Sequence, residues 1–302
     1  DIFCYQGIDF GFGFRLDIWN DLTFYARIRA CLNVLKAISF EEIIMTSPSA
    51  RIGSILDDLS LAYTTFDHQY SEVDSVENYY FPIFRWMDER IRPKNSLKRA
   101  IAVNLKNVLG IIFDWVDFLM DRDQLKVRIF VQDYYPTKDI ISHLQKEKNI
   151  SVIRSNFSSE GNIFNRIWRD RPIPLFGRVK KYKYIADGLM QNFKNQRSAR
   201  LVLADGSDIT ASIYEVLEDR IGPILQERLR DLVAVRSYLS RHPISLKILI
   251  GNLGRVETLV DLVSNKNGVP TYMVINGLLG HHYEDDAKYA TVINAYSTSI
   301  RD

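Results

Sequence analysis

At 302 residues the chain is long enough to bury a sizeable core, as one large domain or two ordinary ones. Its 46% hydrophobic and 25% charged content is that of a soluble globular protein, and 39 basic against 37 acidic residues leave a net charge of only +2, too little for a global field that gathers nucleic acid. Two cysteines, Cys4 and Cys31, supply neither a disulfide framework nor a zinc pattern and fit a reduced, cytoplasmic compartment. No window reaches the ~18 to 20 consecutive apolar residues that span a bilayer, and no signal-peptide pattern follows Asp1.

Residues 1–20 mix aromatics with Gly7, Gly11 and Gly13. Neither a preceding strand nor a full G-x-G-x-x-G is present, so a dinucleotide loop is excluded there. Over residues 21–37, Leu22, Tyr25, Ile28, Leu32 and Leu35 recur at helical spacing, with Asp21 placed to cap the helix. Residues 41–46 read as a strand, 47–59 as a helix and 62–66 as a second strand, which together make a βαβ unit. Ser47 and Arg51 open that helix. Hydroxyls and free N–H groups at a helix start bind anions, so both are candidate substrate-binding residues. The plainer reading is that Ser47 or Ser49 caps the helix.

Residues 67–125 break the rhythm. A long helical region carries Arg85, Arg90, Arg92, Lys94, Lys98, Arg99 and Lys106 and leads into an apolar stretch around Trp115. A basic and then apolar helix pair suits an anionic membrane surface or a lipid-linked substrate. Asp114 and Asp117 interrupt the apolar face, which favours an excursion that covers a sheet or makes a dimer contact. The alternation resumes with a strand over 126–131, a loop over 133–138, a helix over 139–148 and a strand over 150–154. Loops at the carboxyl ends of strands hold ligands in open α/β sheets, so Asp133, Tyr134 and Lys138 are site candidates. Residues 155–199 form a second excursion, a local basic patch in which Arg178, Lys180, Lys181 and Lys183 interleave with Tyr182 and Tyr184. A strand is expected over 200–204 and a long amphipathic helix over 209–239, kinked or split at Gly222 and Pro223.

The last stretch repeats strand, helix, strand, loop, strand, over 246–250, 255–264, 269–275, 276–283 and 289–294. Its loop carries two of the five histidines, His281 and His282. About eight short strands, most of them alternating with helices, predict an α/β fold. The expected architecture is a Rossmann-like, doubly wound and mainly parallel sheet in one domain over 1–302, with helical insertions at about 67–125 and 155–199.

Gly268, Val269, Pro270 and Thr271, then Ile275, Asn276, Gly277 and Gly280, then Tyr289, Ala290, Val292, Ile293 and Asn294 carry a resemblance. This segment of roughly 40 residues resembles bacterial surface and capsular polysaccharide glycosyltransferases of the GT-B type, the CDP-glycerol glycerophosphotransferases and capsule-export-linked transferases among them. The resemblance implies an N-terminal, acceptor-side domain. It also implies a donor domain after Asp302, a nucleotide-activated sugar donor held by that domain, and a saccharide or lipid-linked acceptor. The place implied is the cytoplasm, or the inner face of the cell membrane as a peripheral protein. No cofactor is expected.

Where the family carries a histidine for general-base work, this chain has Asn276, and an amide cannot take a proton. His281 or His282 supplies the base from downstream, or it lies elsewhere, or transfer activity is lost. Asn276, Gly277 and Tyr283 are expected to line the acceptor site. Adjacent histidines project differently and no third ligand is near, so no metal site is expected. A non-catalytic Rossmann-like binding or scaffold module, or another nucleotide-sugar enzyme such as an epimerase, remains open on the same fold.

Overall fold

The computed structural model describes residues 2–45, 50–65, 108, 111–112, 115–116, 119, 126–155, 171–173, 175, 177–196, 200–204, 206, 208–250, 254–274 and 290–294. An N-terminal hairpin of β1 (Cys4–Tyr5) and β2 (Ile8–Asp9) turns through Gln6 and Gly7, both with positive φ. That is the requirement of a two-residue type I′ turn, and it accounts for Gly7. Residues 11–14 form a 3₁₀ turn, with Phe3, Phe10 and Phe14 buried in the main core. The glycine-aromatic opening is a packing device.

The turn runs straight into α1 (Arg15–Asn33), so the helix starts six residues before Asp21 and has Phe14 at its N-cap. The expected βαβ unit follows as β3 (Ile44–Met45), α2 (Ala50–Asp58) and β4 (Thr64–Thr65). Its strands pair in parallel with each other and form a two-stranded sheet of their own.

The main sheet is built from β5 (Val127–Val131), β6 (Ile150–Arg154), β7 (Arg171–Pro172), β8 (Leu246–Ile250), β9 (Thr271–Val274) and β10 (Val292–Asn294). The helices between them are α3 (Lys138–Leu144), α4 (Lys183–Asn195), α5 (Thr210–Arg241) and α6 (Arg255–Asn265). Its strands lie in the order β10-β9-β8-β5-β6-β7, and each neighbouring pair is parallel. Numbered from β5 as first, that is 3-2-1-4-5-6, the strand order of a doubly wound Rossmann-like sheet.

Side chains alternate between the faces with period two. Phe130, Ile153 and Leu249 enter the main core with α4, α5 and α6. Ile129, Val131, Val152, Ile248 and Val274 enter a smaller core covered by Ile141 of α3. Burial on both faces is why β5 and β8 read as mainly apolar, with Arg128 and Lys247 the exceptions. A third cluster joins Tyr25 of α1 and Ile55 of α2 to Ile213, near the start of α5. Beside it a polar knot ties the same helices: the Ser212 hydroxyl donates to Asp58 at 2.6 Å, the Ser54 hydroxyl donates to Ser212 at 2.7 Å, and Tyr25 also donates to Asp58. Burial, with the Asp58 hydrogen bond and charge, pushes the Tyr25 phenol up to about 12.

Two expectations are corrected. Residues 200–204 are no strand: Val202 makes only an isolated bridge to Asp208. Leu201 and Val202 stay exposed, while the Ile209 N–H donates to the Leu201 carbonyl at 2.9 Å, so the segment clasps the start of α5. Nor is the long helix split. α5 continues through Pro223, which sits on an exposed position between buried Ile221 and Leu225. The exposed position leaves the freed carbonyl to water, and burial of Ile221 and Leu225 offsets the ~3 kcal/mol that an interior proline costs.

Candidate functional site

The order of strands reverses between β5 and β8, and the carboxyl ends of those two strands bound the crevice where such sheets take ligands. The crevice is built from Gln132 outward. Buried Gln132 bridges the two strands: its N–H donates to the Ile248 carbonyl at 2.9 Å, and its Oε1 accepts the Ile250 N–H at 2.8 Å. The side chain acts as an extra rung of the ladder. The next residue, Asp133, donates its N–H to Ser155 Oγ at 2.9 Å and accepts from Arg154 Nη2 at 2.6 Å. Arg154 is registered opposite Val131, so parallel pairing delivers the guanidinium to this carboxylate. The fully buried Thr137 closes the turn, its hydroxyl donating to the Gln132 carbonyl at 2.5 Å and accepting the Tyr134 N–H at 3.1 Å. Tyr134 and Tyr135 stand exposed at the rim.

Thr137→Val keeps the shape but leaves the Tyr134 N–H without its side-chain acceptor. It is expected to lower stability by about 1–3 kcal/mol, measured by urea denaturation. An unchanged midpoint would mean that water replaces the hydroxyl.

The helix after the switch strand is closed to anions by its own residues. Gly254 is the N-cap of α6, and a Cβ there would lie 2.5 Å from a Glu257 carboxylate oxygen. Glu257, buried and at the third helical position, therefore folds back towards Gly254 and sets its carboxylate over the helix start. Arg255 turns away to α5, donating to Asp231 and lying 2.8 Å from Glu227 Oε1. Burial pushes the Glu227 carboxyl up, but the Arg255 hydrogen bond and the charges of Arg255, Arg230 and Arg228 outweigh it and hold the group below its usual value. Desolvation lowers Arg255, but the charges and hydrogen bonds of Asp231 and Glu227 outweigh it and raise the guanidinium above its usual value.

Among the expected site residues, Asp133 and Lys138 do come together on this edge. Asp133 is half-buried and paired with Arg154, which holds its carboxylate in place. Lys138 is exposed and opens α3. Arg51 lies in α2, on the separate βαβ unit rather than at the crevice. Ser47, Asn276, Gly277, His281, His282 and Tyr283 lie outside the described residues. The chain leaves β9 at Val274, on the same carboxyl edge as β5 and β8.

Gln132, Arg154, Thr137 and Ser155 were not singled out from the sequence. A polar residue directly after a run as apolar as 127–131 was the available signal.

A cavity of about 700 Å³ lies elsewhere, between residues 177–182 and α5. Val108, Ile111, Ile112, Trp115 and Leu119 are helical and exposed, so these five do not cover the sheet. Among the described residues no helix is long and apolar enough to cross a membrane, and no cluster of His, Cys, Asp or Glu is arranged to hold a metal ion. The chain matches no protein-family model, no curated protein and no solved structure.

Proposed function

We propose that the chain is the acceptor-side domain of a GT-B glycosyltransferase. It would transfer a sugar or polyol phosphate from a nucleotide-activated donor during cell-surface polysaccharide assembly. The observation that carries this reading is the chemistry of the switch-point crevice on a Rossmann-like strand order. A pyrophosphate cradle needs glycines in the first βα turn and an open helix start. The turn over 132–138 has no glycine, and the start of α6 is covered by Glu257. What the crevice offers is the Asp133–Arg154 pair, suited to hydroxyl groups and set over a buried support of Gln132 and Thr137. Donor phosphates then belong to a second domain, and the segment from Gly268 to Asn294 supplies the resemblance to such transferases.

In this mechanism His281 or His282 takes the proton from the acceptor hydroxyl as it attacks the anomeric carbon or the phosphorus. The nucleotide departs with its phosphate. Asn276, Gly277 and Tyr283 line the acceptor, Asp133 is oriented by Arg154, and Lys138 adds positive charge at the rim. The exposed stripe from Val108 to Leu119 is where a peripheral contact with the inner face of a membrane would form.

The test is donor-dependent transfer by the full-length protein that contains this chain. Transfer should rise through a pKa near ~6.5 and fall by ~10²–10⁴-fold in His281→Ala/His282→Ala. Unchanged turnover would remove both as bases. A non-catalytic binding module is the second reading, and Asn276 in place of the expected histidine is what favours it. Acceptor binding with no transfer in the longer chain would select it.

A further inference from the structure

We propose that the cavity between residues 177–182 and the second half of α5 is a binding site for an organic phosphate, a phosphate ester joined to an apolar body. The site stands on its own residues and does not rest on the transferase reading. Its volume, about 700 Å³, falls in the range of small-molecule pockets, ~300–1,000 Å³. Arg178, Lys180 and Lys181 line one side, while Val233, Ala234 and Ser237 of α5 line the other.

Among the described residues that line the cavity none is acidic. Residues 171–184 contain five basic and no acidic side chains. The acids on the adjoining part of α5, Glu227 and Asp231, are engaged by Arg230 and Arg255. On the opposite wall the Ser237 hydroxyl accepts from Arg241 Nη1 at 2.7 Å, which brings a further cation towards the cavity.

Backbone geometry adds to the side-chain charge. A 3₁₀ turn over Val179–Tyr182 continues without a break into α4, so the positive end of this helical run lies at Arg178. The first N–H groups of such a run have no acceptor within it and carry the positive end of its dipole, which favours an anion there. Gly177, at φ +135°, sets the approach: a Cβ there would lie 3.3 Å from Arg230 Cγ, so the turn presses on α5 as only glycine allows. The apolar floor of Val233 and Ala234 gives inorganic phosphate alone nothing to bury, which is why the ligand must carry an apolar group.

Calorimetry with hexyl phosphate and with inorganic phosphate reads the two halves of the site. Hexyl phosphate should bind at least about tenfold more tightly. Lys180→Gln/Lys181→Gln, both exposed positions, should weaken it by about tenfold or more with the thermal midpoint unchanged. Ser237→Phe should fill the cavity and erase the preference for hexyl phosphate over inorganic phosphate. Sedimentation with phosphatidylglycerol and phosphatidylcholine vesicles assigns the source. Salt-sensitive binding to the former that Lys180→Gln/Lys181→Gln removes points to a lipid headgroup, and hexyl phosphate binding without vesicle binding points to a soluble ester. Equal, weak binding of both phosphates, or variants that bind as the parent does, would overturn the proposal.

Discussion

Asp231→Ala is expected to lower the free energy of unfolding by about 3–5 kcal/mol, among the largest effects of any single polar substitution in the chain. Asp231 is fully buried on α5 and receives Arg230 Nε at 2.8 Å on one carboxylate oxygen and Arg255 on the other. Without it, two guanidinium groups are left at the joint between α5 and α6 with only Glu227 to share. Arg255 is about one-third exposed and can rehydrate in part, which places the expected loss near 3 kcal/mol, the lower end of the range. Urea denaturation monitored by far-UV circular dichroism measures it. A loss below about 1 kcal/mol would show that the network behaves as a hydrated surface pair.

Asp261→Ala is the second large effect, and it carries a pH signature. Lys247 is fully buried on β8, with Nζ 2.7 Å from Asp261 Oδ1 and 2.5 Å from Asn265 Oδ1. Desolvation pushes the ammonium below its ordinary value of 10.5, and the hydrogen bond and charge of Asp261 only partly restore it. Removing Asp261 leaves the buried charge with one neutral partner, at an expected loss of about 3–5 kcal/mol near neutral pH.

The sign follows from proton binding. A folded-state pKa below the unfolded one means that the unfolded chain binds more protons between the two values, so stability rises with pH across that window. In Asp261→Ala the folded value falls further and the window widens downward. The variant should therefore recover part of its deficit between pH 7 and about 9.5, more than the parent gains. A deficit independent of pH would mean that the lost interaction was not with the charged amine. Lys247→Met/Asp261→Leu removes both charges and should restore most of the stability, because well-packed apolar residues replace buried ion pairs at little cost.

Local pattern carried much of the fold. The strands Ile150–Arg154 and Leu246–Ile250 follow from the apolar runs alone, and α6 and the βαβ unit around α2 lie within a few residues of their expected bounds. Strand order was not legible, because β5 lies between β6 and β8, and β8 begins more than a hundred residues later in the chain. No local period encodes such a neighbour. Residues 200–204 show the converse: an apolar run looks like a strand whether or not a partner is available, and Leu201 and Val202 have none in a sheet. At the site, Asp133 and Lys138 were legible from their place after a strand. Arg154 was not, since its pairing arises from the parallel register that sets it opposite Val131.

The length of α5 has a consequence for cooperativity. Its 32 residues span about 48 Å, far beyond the ~17 Å of a five-residue strand. One end closes the α1–α2 cluster through Ile213, the other closes the main core through Leu225, Leu229 and Tyr238, and Leu217 packs against both. The two clusters therefore share one rigid shaft. Melting either strips apolar cover from the same helix, which couples the N-terminal βαβ unit to the sheet as a single unfolding unit although no strand pairing among the described residues connects them.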